Sequence, residues 1–214
     1  MKATTDKKEK FAAFCRLVQA KGLVFGSGGN LSIRDGEHIL VTPSGRSLES
    51  LTAGDIICLN PDGSYEGPGK PTSEYRMHLG CYIDRADVNV VVHVHSLYAT
   101  AVSCLKDLDA EKAIPVLTPG YGKRVGDLPA IEYICPGSEE LAGRVREVLR
   151  TRGSVLLRNH GVVTVGRDEE TALNLAEEIE AEAQMFLLLG DRGRELSARE
   201  RDDLVNYVTG KDRR

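Results

Sequence analysis

The chain has five cysteines, Cys15, Cys58, Cys81, Cys104 and Cys135, but no CxxC pair, and each lies more than twenty residues from the next. That scatter argues against a thiolate zinc site and a disulfide framework. It points instead to small buried thiols in a reducing compartment, which makes the cytoplasm the expected location. No apolar run is long enough to cross a bilayer, and the N-terminal lysines are not followed by the apolar core of a signal peptide. Basic residues form no stripe or arm and the net charge is -4, so nucleic acid is not the expected partner. There is no internal repeat, no low-complexity linker, no P-loop, and no GxGxxG after a strand. With 214 residues, 41% hydrophobic and 28% charged, the composition is that of one globular domain over 1–214, with its core at about 8–190 and a charged tail from 191.

Periodicity organises what remains. Residues 6 to about 22 read as a helix with Phe11, Phe14, Leu17 and Val18 on one stripe and Gly22 as its stop. Short strand patterns follow, with a glycine-rich bend at 26–29 and a hairpin signal at Asp35-Gly36. "KPTSEYRMHLGCYIDR" opens a helix with Thr72 or Ser73 as N-cap and Glu74 in its first turn. "NVVVHVHSLYATA", residues 89–101, reads as a buried strand, and residues 114–138 as loop-rich with short strand patterns. Ser138 caps an amphipathic helix, "SVLLRNHGVVTVG" is strand, interruption, strand, and the clearest helix runs from about Asp168 to Leu189. Strands alternating with helices, joined early by hairpin turns, predict an α/β (α+β type) fold with a mixed or antiparallel sheet covered by helices.

Two imidazoles inside a valine run need an explanation. Side chains two apart on a strand share a face, so His93 and His95 project together and can close on one metal ion. A third ligand must come from elsewhere in the chain. His160 is the best placed, because "RNHG" interrupts an apolar strand pair and Gly161 permits an irregular backbone that turns the ring inward. His38, beside a turn, reads as structural or surface. His78, four residues after Glu74, reads as a residue holding its own helix. Taken alone, Glu74 complements the helix dipole. The stretches "GSGGN" (26–30), "TPSG" (42–45) and "PTSE" (71–74) can each offer backbone N–H groups and hydroxyls to an anion.

In this order, "GSGGNLS", "VTPSG", "PTSEYRMHLGCYI", "VVVHVHS", "YICPGSEELA" and "LLRNHGVVTVG" resemble the class II aldolase/adducin family, near its fuculose-phosphate aldolases. The resemblance spans about residues 8–190. It implies a three-layer fold with a central, mostly antiparallel β-sheet flanked by helices, a cyclic homotetramer with active sites between subunits, and one Zn²⁺ per subunit held by His93, His95 and His160. It further implies Glu74 as catalytic carboxylate and a phosphate pocket at Gly29, Asn30, Ser44, Gly45, Thr72 and Ser73. The family's catalytic tyrosine, donated by the neighbouring subunit, falls at Tyr133. There, "EYICPGS" departs from the Pro-Tyr pair and aromatic-Gly step of the fuculose-phosphate enzymes, so Tyr121 in "PGYG" is a second candidate and Tyr207 in the tail a third.

The implied activity is reversible cleavage of a ketose 1-phosphate to dihydroxyacetone phosphate and a short aldehyde such as lactaldehyde. Relatives put the same metal site to decarboxylation, epimerisation or dehydration of sugar phosphates. Epimerases usually carry Asp where Glu74 stands. Adducin head domains, which are interaction modules, lack the histidines. A zinc ion serving only the fold would usually be closed by four protein ligands.

Overall fold

A computed structural model describes residues 5–209, without the side chains of 205 and 207–209. Among them, eight strands form one sheet in the order β4-β3-β2-β1-β5-β8-β7-β6. The strands are β1 (Asn30–Asp35), β2 (His38–Val41), β3 (Ile57–Leu59), β4 (Tyr65–Glu66), β5 (Val90–Val94), β6 (Ala130–Ile131), β7 (Ser154–Leu157) and β8 (Gly161–Gly166). All pairings are antiparallel except β6 with β7, in line with the expected architecture. The β1–β2 hairpin turns through Gly36-Glu37, with Asp35 opposite His38 and Gly36 at φ +61°.

Helices α1 (Thr5–Ala20), α2 (Tyr75–Ile83), α3 (Leu97–Ser103), α4 (Pro119–Arg124), α5 (Glu139–Leu149), α6 (Glu169–Leu189) and α7 (Ala198–Thr209) complete the fold. Strand alternation divides the core in two. Val90, Val92 and Val94 pack with Phe11, Phe14 and Val18 of α1 and with Ala172, Ala176 and Ile179 of α6. Val91 packs on the other face with Met77 of α2 and with Leu141 and Val145 of α5. β5 is therefore apolar at almost every position because helices cover both its faces. His93 shares the parity of Val91 and so projects to the α2 side. Ser138 accepts from Leu141 N, the cap expected for α5, and Asp168, where the long helix was expected to begin, caps α6 by accepting from Thr171 N.

Several expectations fail for identifiable reasons. Leu17 is 46% exposed. Six residues on from Phe11 it stands roughly 240° round the helix, off the face that Ala12 and Cys15 help to bury. The strand of residues 89–101 stops at Val94, because Glu180 of α6 accepts from Tyr98 N (2.9 Å) and Ala99 N (2.8 Å) and draws the next residues into α3. The supposed loop 114–138 contains α4, started by Thr118, whose side chain accepts from Tyr121 N, and by Pro119 in its first turn. Glu74 sits at the N-cap position of α2 instead of inside its first turn, and Thr72 Oγ1 accepts from Glu74 N at 3.3 Å. Cys15 and Cys81 are buried thiols as expected, but Cys104 and Cys135 are exposed. No described helix is long and apolar enough to cross a membrane.

Candidate metal centre

β5 lies between β1 and β8, and this pairing assembles the site. His93 stands opposite Asn30 on β1 and opposite Val163 on β8. His95 follows just beyond the end of the strand. His160 comes from the β7–β8 turn, where the irregular residue is Asn159 at φ +54° and not Gly161, as the sequence had suggested. Gly161 is required for space: a Cβ there would collide with the Val94 carbonyl oxygen and lie 2.8 Å from His95 Cδ2. The start of α2 brings Glu74 to the same point.

Three imidazoles converge through their Nε2 atoms, His95 to His93 at 2.9 Å and His93 to His160 at 3.3 Å. Glu74 Oε2 is 3.2 Å from His93 Nε2, and Oε1 is 3.6 Å from His160 Nε2. One donor atom from each of the four residues falls within 4.8 Å of all the others. Nitrogens about 2.0–2.1 Å from a shared tetrahedral centre stand roughly 3.3 Å apart, so the spacing suits a divalent cation. His93 Nδ1 donates to Val162 O at 3.0 Å, which leaves Nε2 of the neutral ring as a lone pair facing the cluster. Glu74 Oε1 is buried without a hydrogen-bond partner, an unmet polar atom of the kind a bound group satisfies. The donors fit the ion. Their chemistry does not select among zinc, manganese and cobalt.

The electrostatics favour positive charge at the same point. Burial disfavours the Glu74 carboxylate, but the charge and hydrogen bond of His93, the Asn30 amide and the charge of His160 outweigh it and hold the carboxyl well below the usual carboxylate range. Burial likewise disfavours a charged His93, yet Glu74 reverses that and pushes its pKa up. Burial and the neighbouring imidazoles push His95 down to about 3 and His160 down to about 4. One positive charge is thus stabilised beside Glu74, and a metal ion can take the place of the proton.

The three loops expected to meet an anion are side by side. Thr42 N donates to Leu31 O, Thr72 N to Thr42 O, and Ser44 N to Lys70 O, while Pro43 and Pro71 form a bridge. Ser44, Gly45 and Ser73 are exposed, whereas Thr72 and Asn30 are buried. Gly29 has φ +68°, and a Cβ there would lie 2.8 Å from His93 O. Asn30 Nδ2 donates to Glu74 Oε2 at 3.0 Å and its Oδ1 meets His78 Nε2 at 2.6 Å, so most of this amide is committed inside the protein. His78 also bonds Ser32 Oγ at 2.7 Å and ties α2 to β1, as its structural reading predicted. That reading missed its link through Asn30 to Glu74, which no spacing in the sequence signals. His38 bonds Asn60 Oδ1 at 2.9 Å.

The tyrosines separate. Tyr133 is 60% exposed, on the segment between β6 and α5. Tyr121 is fully buried in the core and cannot reach another subunit's site. The side chain of Tyr207 lies outside the described ones.

Residues 9–187 match the family described as Class II Aldolase and Adducin N-terminal domain. The chain belongs to that family. It is 39% identical over 202 residues to a 3-oxo-tetronate 4-phosphate decarboxylase of Haemophilus influenzae, across 94% of this chain and 96% of the relative. To an L-fuculose phosphate aldolase of Methanococcus maripaludis it is 40% identical over 182 residues, across 85% and 97%. Among solved structures, YgbL of Escherichia coli, described as an aldolase/epimerase/decarboxylase, superposes with TM-score 0.88 at 33% identity, across 94% of this chain and 98% of that one. This class II aldolase/adducin chain thus resembles members with two different named reactions.

Proposed function

We propose that the protein is a metal-dependent carbon–carbon lyase that reversibly cleaves a ketose 1-phosphate of the L-fuculose 1-phosphate type to dihydroxyacetone phosphate and a short aldehyde such as lactaldehyde. The observation that carries this reading is the convergence of three imidazole Nε2 atoms beside a buried carboxylate with an unpartnered oxygen. In this reading His93, His95 and His160 hold one Zn²⁺ per subunit. A divalent cation there supplies Lewis acidity where negative charge develops next to the substrate carbonyl.

Glu74 transfers the proton on carbon: once the bond to the leaving aldehyde has broken, it protonates C3 of the enediolate and completes dihydroxyacetone phosphate. Ser44 and Ser73, exposed and with hydroxyls that make no hydrogen bond among the described residues, receive the phosphate together with Gly29, Asn30, Gly45 and Thr72. Remote binding energy of this kind positions the reacting carbonyl. Tyr133 of a neighbouring subunit serves the leaving hydroxyl, accepting its proton as it passes its own phenolic proton to solvent, and its exposure supports such a reach within a homotetramer. The five free cysteines support a cytoplasmic enzyme.

A second reading is decarboxylation of a 3-oxo acid phosphate such as 3-oxo-tetronate 4-phosphate. Breaking its C1–C2 bond releases CO₂ and leaves the electron pair in the same three-carbon enediolate, which Glu74 protonates to the same product. The observation favouring it is that Glu74 is the one carboxylate in the cluster and no hydrogen bond links Tyr133 to it among the described residues. Loss of CO₂ needs no base for a leaving hydroxyl. The test is incubation of metal-analysed protein with each substrate separately. Lactaldehyde with dihydroxyacetone phosphate supports aldol cleavage, and CO₂ with dihydroxyacetone phosphate supports decarboxylation. Neither product from a fully metal-loaded sample overturns both.

A further inference from the structure

Glu74 Oε2 is the terminus of a buried chain of hydrogen bonds. Tyr82 Oη meets Ser32 Oγ at 2.7 Å, Ser32 Oγ meets His78 Nδ1 at 2.7 Å, His78 Nε2 meets Asn30 Oδ1 at 2.6 Å, and Asn30 Nδ2 reaches Glu74 Oε2 at 3.0 Å. All five residues are buried. The direction of every bond follows from what each atom can give. An ionised carboxylate only accepts, so Asn30 donates with Nδ2 and turns Oδ1 toward His78. An amide oxygen only accepts, so His78 carries its proton on Nε2. Burial pushes the His78 imidazole down to about 3, so the ring is neutral and Nδ1 must accept. Ser32 spends its single hydroxyl proton on Nδ1 and is left to accept from Tyr82. Four donors in series therefore all point toward Glu74, and reversing any one of them would set two acceptors or two donors face to face.

We propose that His78, acting through Asn30, is a positioning residue for the proton transfer: the chain pins Glu74 Oε2 as an acceptor and leaves Oε1, which has no hydrogen-bond partner, as the oxygen that carries the substrate proton. This rests on the reading of Glu74 as the proton carrier. The N–H held against Oε2 cannot be surrendered without unpairing Asn30, so the two carboxylate oxygens have separate tasks. Ser32 and Tyr82 act one step further back, by keeping the His78 ring in the one tautomer that orients Asn30.

The test uses the metal-loaded full chain with ¹⁵N-labelled histidine rings. Long-range ¹H–¹⁵N spectra report the His78 tautomer directly, and wild type is expected to show Nε2–H. Ser32→Ala removes the donor to Nδ1 and leaves that lone pair unpaired, so the Nδ1 resonance is expected to shift in that variant while Nε2–H, held by Asn30 Oδ1, persists. In parallel, exchange of the hydroxymethyl proton of dihydroxyacetone phosphate with D₂O reads Glu74 without any bond cleavage. Ser32→Ala and His78→Phe are expected to slow it about tenfold with KM unchanged, and Ser32→Thr to restore it relative to Ser32→Ala. A residue that only held α2 in place would leave exchange per folded, metal-loaded molecule unaltered. Wild-type protein with bound metal that exchanges no deuterium overturns the reading of Glu74 and this role with it. Wild-type protein that exchanges but shows Nδ1–H at His78, or an unimpaired Ser32→Ala variant, overturns the relay alone. The wild-type tautomer needs no variant, so a misfolded mutant cannot block the decision.

Discussion

Two glutamates in this molecule are almost entirely buried, Glu74 at 4% and Glu182 at 1% exposure, and their surroundings differ in kind. Glu182, on α6, receives Leu117 N at 2.5 Å, Thr118 N at 3.0 Å and Thr118 Oγ1 at 2.8 Å. Both of its oxygens are engaged by neutral donors, and it fastens the turn from which Thr118 caps α4. Glu74 receives one amide N–H, faces two imidazole edges, and keeps one oxygen without a hydrogen bond. A buried carboxylate saturated by donors has no capacity left for a ligand or a proton. One that is left short among titratable rings is poised for both.

Breaking each corner separately sharpens the contrast. The largest effect is expected for His95→Ala, which should abolish metal retention and turnover while the circular dichroism spectrum persists; collapse of the fold would mean the metal is structural. Glu74→Gln should lower kcat on the order of 10²–10⁴-fold and leave metal content and the denaturation midpoint near wild type, as steady-state kinetics and urea titration would report. Glu182→Ala should do the reverse. It leaves three donors unpaired and should cost on the order of 3 kcal/mol or more of stability, with the metal stoichiometry of the folded fraction unchanged.

His78 links the Glu74 corner to pH. Burial excludes the charged ring and pushes its pKa down to about 3, below the ordinary imidazole value of about 6.5. The unfolded chain therefore takes up a proton below that value which the folded protein refuses. The contribution to stability is complete above pH 6.5 and is lost as pH falls toward 3, by up to about 1.4 kcal/mol per pH unit. His78→Gln should flatten that limb in urea titrations run between pH 4 and 7. The smallest effect is expected at the exposed edge of the site, where Ser73→Ala should raise KM for the phosphorylated substrate a few-fold, roughly the loss of one hydrogen bond, without moving kcat.

How much of this was legible depended on the range of the interaction. His93 and His95 could be paired from the chain because strand parity is local. The cap at Ser138 could be read because a cap and its partner lie three residues apart. The reading of 89–101 as one strand failed because Glu180, some eighty residues on, starts α3 there. A spacing argument also chose the wrong residue for the irregular backbone at the β7–β8 turn, Gly161 in place of Asn159, since a glycine kept for space and one kept for its φ angle look alike in sequence.

By itself the amino-acid order determined the antiparallel α/β class, the valine-rich central strand, the histidine pair and the family, since each depends on neighbours or on motifs read in sequence. Tertiary structure alone decided that Glu74 keeps a bare oxygen, that Tyr121 is core, and that Tyr82, Ser32, His78 and Asn30 line up behind the carboxylate. The bonds of that line join residues 44 to 50 positions apart. Whether such groups meet is set by how the helices pack on the two faces of the sheet, which no local pattern encodes.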